Sequence, residues 1–284
     1  MRTFLFFLLI SALPSWARAE IAYLEMRPNI SASAEYLPGQ SDKPAILLLH
    51  GFLQTRDFST VTNLARSLRD AGYPVLVPTL SLGIPNRQRS LPCEAIHRHS
   101  LNDDTLEISR WVHWLKSRGH RSTVLIGHSF GSLQLLAYLN GSVDKTVKAY
   151  IGASLIEAKI DSTNRSILIA RLNNQLATDQ IALVTQELSL CKKYTSTPEG
   201  LLSYIQWDQT QILSALKNTS VKTLLIMGAA DNILERNWLK ALAHIQTPMV
   251  IVAGANHFMD GEHEFDLLDK TLTFLKTVQK DRAP

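Results

Sequence analysis

The sequence predicts an α/β fold: a mostly parallel central sheet with helices on both faces and a helical cap inserted late in the chain. Three observations predict it. Short apolar runs rich in aliphatic and β-branched residues alternate with amphipathic stretches, as strands and helices do around a parallel sheet. One such run leads into Gly127-His128-Ser129-Phe130-Gly131 immediately before a helical segment. From about residue 157 to 220 the strand pattern gives way to polar, helix-compatible sequence.

The chain opens with Arg2, an apolar run from Phe4 to Leu13, a Pro14-Ser15 break and the small-residue pattern Ala17-Arg18-Ala19. That layout predicts a secretory signal over residues 1–19, cleaved to leave a mature domain over 20–284. The run is shorter than the roughly 20 apolar residues a bilayer span needs, so no transmembrane span is expected in the mature chain. Ala45 to Leu49 is the first confident strand, entered at Lys43-Pro44 and closed by His50-Gly51. Phe58 to Ala71 follows as a helix, with Val61, Leu64, Ala65 and Leu68 on one face and Gly72 as its stop. Tyr73 to Val77 is a strand ended by Pro78, and Ser81 to Ser100 a long loop of the kind that often carries function. Asn102 to Arg118 is a helix, Thr123 to Gly127 a strand, Leu133 to Leu139 a helix and Val147 to Ala153 a strand.

Within the insertion, Ile167 to Leu172, Asp179 to Leu188 and Gly200 to Leu216 read as helical. Strand pattern returns at Val221 to Met227 and again at Met249 to Val252, with helices at Trp238 to His244 and Glu264 to Val278. Lys280 to Pro284 reads as a frayed tail.

The formal charge of +4 includes Arg2 and Arg18 of the leader, so the mature domain carries only a weak positive excess. That does not argue for a nucleic-acid partner. Two cysteines, Cys93 and Cys191, are present. Export, to a periplasm or outward by secretion, would allow them one disulfide; separate buried thiols are the alternative. The oligomeric state is not legible.

Chemistry concentrates at Ser129. A serine between a strand and a helix, flanked by Gly127 and Gly131, has the context of a nucleophile elbow, where crowding of strand and helix demands small neighbours. The plainer reading is a helix N-cap. A serine hydroxyl needs a histidine to take its proton and an acid to hold that histidine in the right tautomer. Asp231 follows a strand through Gly228-Ala229-Ala230, and His257 follows the last strand through Gly254-Ala255-Asn256. Glu157 is the rival acid, and Asp260 reads as a solvated loop carboxylate.

With Ser129, Asp231 and His257 in this order, the chain resembles the α/β-hydrolase superfamily from about Ala45 to Val278. The resemblance implies an oxyanion hole built from the backbone N–H groups of Phe52, in His50-Gly51-Phe52, and Phe130, with Leu53 as the fallback for the first. The implied chemistry is acyl transfer through an acyl-enzyme, with a small-molecule or lipid-like carboxylic ester as the leading substrate class. Amide or peptide hydrolysis, transfer to another acceptor, or a non-catalytic envelope-binding role remain open on the same residues. No cofactor is implied.

Other polar residues read more plainly. His128 reads as structural, its side chain turned into packing. His97, His99, Asp103, Asp104 and His113 match no zinc spacing, so no metal is expected, and Asp103-Asp104 reads as helix capping. Trp111 and Trp114 read as a packed helix face. Arg87, Arg89, His97 and Arg98 offer charge either to an anionic substrate group or to water.

Overall fold

The computed structural model describes residues 18–160, 165–179, 182–235 and 237–280; most of the expected leader and residues 281–284 lie outside them. Eight strands form one sheet: β1 (Glu20–Arg27), β2 (Ile30–Leu37), β3 (Ala45–Leu49), β4 (Val75–Thr79), β6 (Thr123–His128), β7 (Val147–Ala153), β10 (Lys222–Gly228) and β11 (Met249–Val252). Their order is β1-β2-β4-β3-β6-β7-β10-β11. From β4 to β11 every pairing is parallel, while β2 runs antiparallel to both β1 and β4.

The inner strands β3, β4 and β6 are buried on both faces, and the side chains of β3 divide between them. Ala45, Leu47 and Leu49 join one core, Ile46 and Leu48 the other. The second core is covered by α1 (Ser59–Asp70) and α8 (His263–Lys280) through Leu64, Leu68 and Leu275. The first is covered by α2 (Leu101–Ser117) and α3 (Phe130–Leu139), whose Trp111, Leu133 and Leu136 are buried. α3 is apolar on every side because it lies between the sheet and other elements.

Three features differ from the sequence reading. The β1–β2 hairpin precedes the first confident strand; its core-facing residues include Ala32 and Ala34, whose small side chains give a weak apolar alternation. β4 continues through Pro78 to Thr79. Past Leu76 it pairs only with β2, so on the β3 side the N–H that proline lacks is not needed.

The third difference lies between β7 and β10. Helices α4 (Arg165–Ala177), α5 (Pro198–Ile205) and α6 (Gln209–Asn218) cover two of the expected helical stretches, but Asp179 to Leu188 is not helical where described. Val184–Leu188 is strand β8, turned through Ser189 (φ 53°) into β9 (Cys191–Ser196). β9 also pairs with β5 (Ile96–His97) from the long loop, giving a second, three-stranded sheet. Cys93 and Cys191 form a disulfide with Cα atoms 5.3 Å apart, which fastens that loop to the insertion.

Candidate active site

β6 ends in a turn that places Ser129 at φ 57°, ψ −124°. An L-residue there costs on the order of 1–3 kcal/mol, so its surroundings must hold it. The Ser129 N–H donates to Ala153 O (2.8 Å), and the Ser132 hydroxyl donates to Gly127 O (2.7 Å) and Ala153 O (3.0 Å). The two glycines are sterically required. A Cβ on Gly127 would lie 2.5 Å from Ser132 N, and one on Gly131 would lie 2.3 Å from His50 O.

The other two predicted partners arrive from the ends of β10 and β11. A Cβ at Gly228 would strike Ala255 O at 2.4 Å, and the N–H groups of Ala229 and Ala230 donate to Val252 O and Ala255 O. The acid loop and the histidine loop are thus stitched together. His257 Nδ1–H donates to Asp231 Oδ2 at 2.7 Å, and Nε2 accepts from the Ser129 hydroxyl at 2.7 Å. The second oxygen of Asp231 accepts from Ile233 N–H (3.0 Å). Ser129 is 4% exposed, His257 1%, and the Asp231 side chain is buried. Glu157, the rival acid, instead accepts from Gln209, and Asp260 accepts from Asn256.

His128 does turn away from Ser129, stacking on Phe58, and its Nε2–H donates to His257 O at 3.0 Å. Burial first, and the neighbouring His257 second, lower its pKa to about 4, so it stays neutral and fixes the backbone of the residue that faces the serine.

The 50–54 loop lies against Ser129: a Cβ on Gly51 would sit 3.3 Å from Ser129 Cβ, and the Phe52 and Phe130 rings are 4.7 Å apart. His50 and Leu53 shape this loop in ways their sequence positions did not reveal. His50 accepts from Leu80 N–H (3.2 Å) at Nε2, which leaves Nδ1–H to donate to Gly51 O (2.9 Å). Burial lowers its pKa to about 3, which keeps Nε2 available as an acceptor. Leu53 sits at φ 56°, and its carbonyl accepts from Leu91 N–H (2.9 Å) and Arg87 (3.3 Å).

Arg87 itself is 4% exposed and spends its fork on carbonyls, so it faces neither water nor an anionic substrate. Burial lowers its pKa to about 10, which leaves it charged at neutral pH.

A second polar cluster lies behind the phenylalanines. Asp104 accepts from Gln134 of α3 (2.7 Å) and from Tyr204 of α5, whose hydroxyl accepts from His99 Nδ1–H (2.9 Å). Tyr194 of β9 stacks on His97 at 4.1 Å and reaches His99 Nε2 at 3.5 Å. Asp104 therefore joins α3 to the insertion, contrary to its reading as a cap; Asp103 alone completes the capping box with Ser100. Trp111 is fully buried, and Trp114 packs against Tyr36, as a helix face should.

Comparison with known proteins agrees with this architecture. No curated protein matches the sequence. Among solved structures, the alpha/beta hydrolase GrgF from Penicillium sp. sh18 superposes with a TM-score of 0.70 at 15% identity, over 93% of this chain and 100% of its own. Est1E from Butyrivibrio proteoclasticus gives 0.63 at 15%, over 90% and 99%. A thioesterase domain from the curacin biosynthetic pathway gives 0.59 at 17%, over 91% and 99%. At these identities the likeness speaks for the fold alone. The model of the alpha/beta hydrolase family matches residues 46–268, from the second residue of β3 into α8, and the chain belongs to that family.

Proposed function

We propose that the protein is an exported serine hydrolase that cleaves carboxylic esters through an acyl-enzyme on Ser129. One observation carries the reading: the unbroken hydrogen-bond chain from Ser129 through His257 to Asp231, with both bonds at 2.7 Å. His257 Nε2 takes the hydroxyl proton as Oγ attacks the ester carbonyl, and Asp231 stabilises the resulting imidazolium. The N–H groups of Phe52 and Phe130 receive the oxyanion; neither has an acceptor among the described residues. His257 then protonates the leaving alkoxide, and a water activated by the same nitrogen releases the acid.

The Cys93–Cys191 disulfide supports export, since such bonds persist in oxidising compartments; we assign the mature protein to the periplasm, beginning at Glu20.

The test is hydrolysis of p-nitrophenyl esters of increasing acyl length by the mature protein and its Ser129→Ala variant, both verified as folded. Turnover in the parent and its loss by on the order of 10⁴-fold or more in the variant is the expected result. Equal turnover in both would remove Ser129 from the mechanism.

A further inference from the structure

The long loop between β4 and α2 holds a buried cation that the triad chemistry does not use. Arg87 donates from Nε to Leu80 O (2.9 Å), from Nη1 to Leu53 O (3.3 Å) and Arg89 O (2.9 Å), and from Nη2 to Gln54 O (2.7 Å). Among the described residues it has no carboxylate within ion-pair distance. Its donors are spent on backbone carbonyls, while Asp104 and Glu107 act on its charge from beyond ion-pair distance; two of the carbonyls, Leu53 O and Gln54 O, directly follow Phe52.

The same bonds reach Phe52 by a second route. Leu80, whose carbonyl accepts from Arg87, donates its own N–H to His50, which in turn donates to Gly51 O. Gly51 O and the Phe52 N–H belong to one planar peptide unit and point in opposite directions, so fixing the carbonyl aims the N–H. A bond to the carbonyl also polarises the unit and strengthens its donor. On the other side of Phe52, Leu53 is held at a positive φ that an L-residue with a Cβ leaves when released, and Arg87 with Leu91 N–H fixes its carbonyl.

We infer that Arg87 is a positioning residue that clamps the 50–54 loop so that the Phe52 N–H faces the oxyanion, an inference that rests on the serine-hydrolase reading. An arginine suits the task because only its planar fork presents several fixed donors at once. A lysine ammonium, compact and at the end of a flexible stem, cannot span the same four carbonyls.

The experiment compares the mature, disulfide-bonded protein with Arg87→Lys and Arg87→Ala. It reads phosphonylation of Ser129 by a fluorophosphonate probe, followed as intact mass, together with kcat and KM on p-nitrophenyl acetate and Tm. A phosphonate oxygen occupies the oxyanion position, so labelling reports the donors without needing a natural substrate. The expected result is a fall of roughly 10- to 100-fold in labelling rate and in kcat for Arg87→Lys, with KM little changed. Guanidinium ion at sub-denaturing concentration should restore part of the rate in Arg87→Ala and leave the parent unaffected.

If Arg87→Ala does not fold, Arg87→Lys alone decides the matter. Labelling of a folded Arg87→Lys at the parent rate overturns the clamp. So does a loss of rate that tracks a collapse in Tm without guanidinium rescue, since that describes a purely structural residue. If the parent protein itself is not labelled at Ser129, the serine-hydrolase reading fails, and the role of Arg87 with it.

Discussion

His50 acts through a single peptide unit, and its removal should separate catalysis from binding. His50→Ala leaves Leu80 N–H and Gly51 O without their ring partner, so kcat should fall about 10- to 100-fold with KM nearly constant. Asp231→Asn keeps the shape but favours the wrong tautomer of His257, for an expected loss near 10⁴-fold in kcat. Both are read by steady-state ester hydrolysis on folded protein. Ser129, Asp231 and His257 were legible in the sequence because an elbow needs glycine where Cβ atoms collide, and because acid and base each follow a strand end. His50 and Arg87 were not. Their roles depend on where carbonyl oxygens point, and a charged residue in a polar loop looks the same in sequence whether it meets water or buried backbone.

Among the elements, β3, α1, β6 and β7 follow their periodicity closely. The segment at Val184–Leu188 does not, because Val184 and Leu188 are spaced four apart, as on a helix face. What makes it a strand is a partner distant in sequence: β9 pairs with it, and β9 is tied in turn to β5 and Cys93. Cys93→Ser with Cys191→Ser should therefore cost about 2–5 kcal/mol in denaturant unfolding, and an unchanged midpoint would deny the tie any energetic role. The loss of strand pattern near residue 157 was visible, whereas the docking of the segment that follows through Asp104, Tyr204 and His99 was not: Asp104 and His99 had simpler local readings, and Tyr204 carried no signal.

The whole molecule should lose stability on acidification. His50, His97 and His128 are held neutral by burial, with pKa values lowered to about 3, 4 and 4. The unfolded chain binds those protons near 6.5, so the stability they contribute is present above about pH 6.5 and is lost as pH falls toward 4. Glu107 acts in the opposite sense. Burial raises its carboxyl to about 7, so its contribution is complete below about pH 4.5 and disappears as pH rises through 7. Three histidines outweigh one carboxyl, so Tm should rise from pH 4 to about 7 and then level off, and Glu107→Gln should steepen that rise between about pH 4.5 and 7. A Tm constant from pH 4 to 7 would contradict the histidine assignments, and an unchanged slope in Glu107→Gln would contradict that of Glu107.

The disulfide has one more consequence for the molecule under stress. Cys93 and Cys191 close a covalent loop that contains β6, Ser129 and β7, while Asp231 and His257 lie on the chain beyond it, with β11 as an open sheet edge. On warming, the carboxyl-terminal strands can come away as a cooperative unit while the cross-linked half holds its shape. Ester hydrolysis should then be lost before the molecule melts, and on cooling return by re-docking β10, β11, α7 (Trp238–Ala243) and α8 rather than by refolding the whole chain.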